Sequence, residues 1–168
     1  MADQSGLAAA DIPLIAVIGW REDRGMTVPD RAGLHHIAAE CVTLVARQFG
    51  RHLDWSLASL DELDAVCADL LADGPLEGER LELWWKLTGA YTGEVLVRVY
   101  GGQWITHEQA PGSFAVSVYG MTAFPFAVTD RILRAEPYKS LASFARVLPA
   151  VAARTQADTP GEPPASSR

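Results

Sequence analysis

Leu34, Ile37, Ala38, Cys41, Leu44 and Val45 recur at i, i+3, i+4 and i+7, a spacing that puts them on one face of a helix. Asp30 can cap that helix and Gly50 can stop it. A second apolar stripe, Leu60, Leu63, Val66, Cys67, Leu70 and Leu71, begins at Ser59-Leu60-Asp61-Glu62. This sequence is a capping box: Ser59 can accept from a backbone N–H three residues on, while Glu62 reaches back. Asp73-Gly74-Pro75 ends the helix.

Residues 76–106 fit two patterns. Glu94 to Tyr100, then Gly101-Gly102, then Gln103 to Thr106 can be a two-residue hairpin. The same residues can be one long helix over 76–100, stopped by Gly101. On the helix, Glu82 faces Lys86 and Glu94 faces Arg98, both in the favourable i, i+4 order. Gly89 and Gly93 would then let another element approach closely.

Beyond Gly102 the period shortens. Trp104-Ile105-Thr106-His107 predicts a strand, Ala110-Pro111-Gly112 a turn, and residues 114–119 an alternating strand broken at Gly120. Residues 121–125 form a short extended piece. A helix over 126–135 follows, with Pro125 near its first turn and Arg131 and Arg134 at its basic end. Ser140 caps a last helix that buries Leu141, Phe144, Val147, Leu148 and Val151, kinked or shortened by Pro149. Upstream, residues 12–19 suit a strand slightly better than a short helix, and 21–29 a loop.

The fold class is therefore α+β. N-terminal helices and a long buried helix pack on a small antiparallel sheet, closed by C-terminal helices. One domain spans 12–154, with a flexible leader at 1–11 and a disordered, proline-rich tail at 155–168.

Composition changes this picture little. With 49% hydrophobic residues the chain can fill a core without staples. The net charge of -7 argues against nucleic acid and anionic membrane as partners, since both call for a basic surface. The apolar run 12–20 is too short to cross a bilayer, and no basic cluster precedes it, so a cytoplasmic location is expected. The preponderance of arginine over lysine, with abundant alanine, suggests a high-GC bacterial genome. Cys41 and Cys67 sit among helical apolar residues and are expected to be reduced, buried thiols. No cofactor and no metal are expected.

Glu94 is the candidate chemistry. It is one carboxylate in an apolar run, and a buried charge must be paired, hydrogen-bonded or functional. Its candidate partners are Tyr91 one turn away, His107 and Glu108 after Trp104, and Asp54. The plainer role is structural, tying the long helix to a loop through backbone N–H groups or Arg98. His35 and His36 are adjacent and point about 100° apart on a helix, so they cannot chelate as a pair. With His52 they are expected to face solvent or pack singly. Trp84, Trp85 and Trp104 suit a core better than a ligand pocket.

Leu53-Asp54-Trp55-Ser56-Leu57-Ala58-Ser59-Leu60, Gly89-Ala90-Tyr91-Thr92-Gly93-Glu94-Val95 and Gly101-Gly102-Gln103-Trp104 together resemble a group of small bacterial proteins of domain-of-unknown-function type. Their pattern is L-D-x-S-x-x-S-L, then G-A-Y-x-G-E-V, then G-G-x-W, and the resemblance covers residues 34–154. It implies that G-A-Y-x-G-E is helical and leads into the strand bearing Trp104, which selects the long helix. Val97, Val99 and Tyr100 stand where the pattern has more basic residues, which implies a more buried helix end. The resemblance carries no chemistry.

The expected function is a non-enzymatic binding or interaction module, an adaptor, accessory or partner antagonist. Another protein is its partner, and Tyr91, Glu94, Trp104 and His107 are its binding residues. The competing class is a small hydrolase-like enzyme using Glu94 with His107 or Tyr91. The oligomeric state is left open.

Overall fold

The computed structural model describes residues 31–110 and 114–157. The leader, the Asp30 cap, the 12–19 stretch, residues 21–29 and the tail beyond 157 lie outside the described residues. Among the described residues five helices and three strands follow in order: α1 Arg31–Phe49, α2 Leu57–Leu70, α3 Gly78–Tyr100, β1 Gln103–Thr106, β2 Phe114–Val118, β3 Met121–Ala123, α4 Pro125–Leu133 and α5 Leu141–Ala157. The architecture is α+β, as the period changes along the chain imply.

α3 is the centre. It packs against α1 on one side and α4 on another, and its C-terminal half meets the sheet. Residues 86 to 96 are buried without interruption, because neighbours surround the helix on all sides rather than along one stripe. Phe49 at the end of α1 meets Trp84 edge-on at 5.7 Å. The helix runs through the contested residues and stops at Gly101, whose φ of 66° is the left-handed conformation that glycine supplies without strain. The hairpin is thereby ruled out. The end of α3 is more open than the resemblance implies: Val97 and Tyr100 are half-buried, and Val99 is 41% exposed.

Gly89 and Gly93 do let other elements approach. A Cβ on Gly89 would lie 2.3 Å from the Phe126 ring of α4, and one on Gly93 would lie 2.0 Å from the Trp104 ring of β1. Both rings therefore rest on the bare backbone of α3. Trp85 adds a bond from its indole N–H to the Phe126 carbonyl at 2.9 Å.

The sheet is antiparallel in the order β1-β2-β3, with Trp104 opposite Val116 and Val118 opposite Met121. Tyr119 and Gly120 connect β2 to β3, both at positive φ, as a type I′ turn requires. β1 ends at Thr106, so His107 falls just outside the strand that the sequence predicts for it.

α2 and α5 form the other layer. Here three expectations are corrected. Ser56, not Ser59, caps α2: its hydroxyl accepts from the Ser59 N–H at 3.2 Å. Ser59 lies inside the first turn, and Glu62 bonds Arg51 at 2.8 Å instead of reaching back. Pro149 lies inside α5 and does not shorten it, since the helix continues to Ala157. A proline leaves the carbonyl four residues earlier without its donor; here that carbonyl, Ala145, accepts from the Tyr100 hydroxyl at 3.0 Å. Finally, α5 buries Leu141, Ala142, Ala145, Leu148 and Ala152, while Val147 and Val151 are exposed.

The start of α5 has a cap from elsewhere in the chain. Ser140 accepts from the Ser143 N–H as expected. In addition Asp64 of α2 accepts from the Ser140 hydroxyl at 2.7 Å and from the N–H groups of Leu141 at 2.7 Å and Ala142 at 3.1 Å.

Candidate functional site

Helical spacing sets the side chains of α3 that face α1 and the loop before α2. Tyr91, Glu94 and Arg98 follow at i, i+3 and i+7, so all three project toward that seam. Tyr91 is fully buried, Glu94 is 5% exposed, and Arg98 is exposed in the last turn.

The Tyr91 hydroxyl fixes the loop. It accepts from the Trp55 N–H at 2.9 Å and lies 2.6 Å from Ser59 Oγ. The Ser59 hydroxyl donates to the Ser56 carbonyl at 2.6 Å, so its proton is spent and Tyr91 donates to it. A relay thus runs from Trp55 through Tyr91 and Ser59 to Ser56. Burial pushes the Tyr91 phenol above its ordinary range. Asp54 completes the loop by accepting from the Ser56 hydroxyl at 2.6 Å and N–H at 3.1 Å, bonds that hold its carboxyl below the usual range. The first and second motif islands are therefore one hydrogen-bonded unit in space.

Trp55 sits at φ 67°, a left-handed conformation uncommon for a bulky residue. Its ring stacks on Tyr91 with centroids 4.9 Å apart and on His35 of α1 at 5.9 Å. The Arg98 guanidinium lies over the same ring at 4.2 Å.

Glu94 joins three elements. Its Oε1 accepts from the Trp104 indole N–H of β1 at 2.8 Å. Its Oε2 lies 3.4 Å from His35 Nδ1 and 3.8 Å from Arg98 Nε. The carboxylate links α3 to α1 and β1 through side chains and faces Arg98 of its own helix, and none of these contacts is with a backbone N–H.

The candidate residues are thus divided. Glu94 and Trp104 are bonded to each other. Tyr91 shares the seam, but its hydroxyl serves the 53–56 loop. His107 packs its ring edge-on against Phe124 at 5.2 Å and accepts from the Gln109 N–H at 3.3 Å. Those contacts do not include Glu94. His35, expected to pack singly or face solvent, is the histidine that meets the carboxylate. Nothing in the periodicity marks it, because it lies 59 residues away in sequence. His36 and His52 are exposed.

Cys41 and Cys67 are free and buried, and burial pushes both thiols up, Cys67 to about 12. Among the described residues no cluster of His, Cys, Asp or Glu is arranged to hold a metal ion, and no helix is long and apolar enough to cross a membrane. The chain was compared with family models, curated proteins and solved structures, and it matches none of them.

Proposed function

We propose that the chain is a non-enzymatic cytoplasmic module that binds another protein, and that it belongs with the small bacterial proteins whose three-part pattern it resembles. The observation that carries this reading is the closed state of Glu94. A general acid or base must reach a substrate proton. Glu94 is 5% exposed, with one oxygen bonded to Trp104 and the other facing His35 and Arg98. Such a carboxylate organises a surface rather than reacting at it. The hydrolase alternative, using Glu94 with His107 or Tyr91, draws no support from these contacts, since each partner is engaged elsewhere.

The surface we assign to the partner lies at the end of α3. Val99 and Tyr119 are exposed there, and Tyr119 packs on Tyr100 with ring centroids 5.5 Å apart. Exposed apolar residues give a partner area, and Val99 follows Arg98, a charged landmark, in the last turn of α3.

Affinity capture from the native cytoplasm tests the proposal with three forms of the protein. The parent and Glu94→Gln should retain the same partner, and the Val99→Asp/Tyr119→Asp double variant should release it while staying folded. A Glu94→Gln variant that melts higher than the parent but loses its biological readout would point to the enzyme instead.

A further inference from the structure

Arg98 is held over a ring but not consumed. Its guanidinium lies 4.2 Å above the Trp55 ring, and its Nε is 3.8 Å from Glu94, beyond hydrogen-bonding distance. Among the described residues neither Nη has a partner. A guanidinium carries its five N–H donors in one plane. The Nη donors are left available, and that donor edge is what a carboxylate grips with two parallel bonds.

The platform beneath Arg98 is fixed from the core outward. Trp55 takes a left-handed backbone, donates its N–H to Tyr91 and stacks on the Tyr91 ring. A non-glycine residue in that conformation is strained, and such strain persists where surrounding contacts over-determine it, often at binding sites. His35 flanks the same ring, half of its side chain in solvent. Arg98 therefore offers N–H donors beside His35, on a chain whose net charge is -7.

We propose that Arg98, on its Trp55 platform and flanked by His35, docks a carboxylate side chain from an acidic segment of the partner protein. The inference rests on the interaction-module reading and names the chemistry of the contact. Glu94 selects a singly charged group. It already lies beside Arg98, so a second carboxylate is bridged by the guanidinium, whereas a phosphate dianion meets stronger repulsion from Glu94 and from the acidic surface.

The test is an NMR titration of the full chain, following the Arg98 Nε–H and the tryptophan indole N–H resonances. The probes are N-acetyl-glutamate N-methylamide, its glutamine counterpart and inorganic phosphate. The glutamate probe should shift the Arg98 and Trp55 signals saturably, and the glutamine probe should not. The response should vanish in Arg98→Gln and weaken in Arg98→Lys, which keeps the charge but not the fork. The Trp104 indole signal should stay in place in both variants, reporting an intact fold. An arginine serving only to cover Trp55 and cap the helix end gives no saturable shift, and that result overturns the proposal. So does a shift that survives in Arg98→Gln, or tighter binding of phosphate than of the glutamate probe. If the titration fails while partner capture still depends on Val99 and Tyr119, the module reading stands and the carboxylate contact falls. If capture proves independent of them, the module reading falls, whatever the titration gives.

Discussion

On one side of α3, Gly89 and Gly93 let Phe126 and Trp104 lie directly on the helix backbone; on the other, Tyr91 and Glu94 reach outward with polar atoms to the 53–56 loop and to α1. The first side is held by contact without slack. The second is held by bonds whose members can be replaced one at a time. Trp104 belongs to both, since its ring presses on Gly93 while its N–H bonds Glu94. The polar side is thus set in place by the packed side.

The largest effect should come from the residue where the two meet. Gly93→Ala puts a methyl group into the Trp104 ring and pulls its N–H from Glu94. Overpacking and the loss of the indole donor to a buried carboxylate oxygen together outweigh the gain in helix propensity, for a net cost of about 2–4 kcal/mol. Gly89→Ala displaces Phe126 but breaks no hydrogen bond, so it should cost less, about 1–2 kcal/mol. Urea unfolding of the two variants orders them. Equal costs would mean that the two glycines do the same work and that Trp104 does not couple the sides.

The next effect sharpens the polar side. Tyr91→Phe keeps the stack on Trp55 but removes the acceptor of the Trp55 N–H, and should cost about 1–3 kcal/mol. The Trp55 indole signal should move while that of Trp104 does not. Movement of both would show that the two sides are not separable.

The smallest effect at neutral pH becomes visible in alkali. Burial raises the acids Cys41, Cys67 and Tyr91 above ordinary values of 9.0 for the thiols and 10.0 for the phenol. Their protonated forms therefore favour the fold. That stability is complete below pH 9 and declines as pH rises past it, because the unfolded chain ionises first. Each group contributes a slope of at most about 1.4 kcal/mol per pH unit. Cys41→Ala and Cys67→Ala should each flatten the decline between the ordinary thiol value and pH 11, measured by urea unfolding. An unchanged slope would show that the thiols ionise in the folded state.

What the chain reveals by itself follows the same division. The helices, the stops at Gly50 and Gly101 and the close approach at Gly89 and Gly93 are local, carried by period and by residues with special backbone or bulk. That Glu94 needs partners is legible for a similar reason, since a carboxylate in an apolar run must be satisfied. The identity of its partners is not, because His35 and Trp104 come from different elements and the pairing is tertiary. The cap of α2 fails for the same cause. Ser56 and Ser59 are both suitable, and the choice depends on Tyr91, which draws Ser59 into the core. Pro149 looks like a helix breaker until Tyr100 supplies the hydrogen bond it removes. The left-handed Trp55 has no signature in sequence, since no glycine or asparagine marks it.

Asp64 has a consequence for the order in which the molecule assembles. The N-terminal donors of α5 are satisfied by a carboxylate that precedes Leu141 by 77 residues. Nucleating a helix is unfavourable before its first turn is fixed, and here part of that turn is supplied by α2. We expect α5 to be the dependent partner, its first turn completed only when α2 is in place. Its opening in hydrogen exchange should be one event, the parting of the two helices, rather than gradual fraying from its first residue.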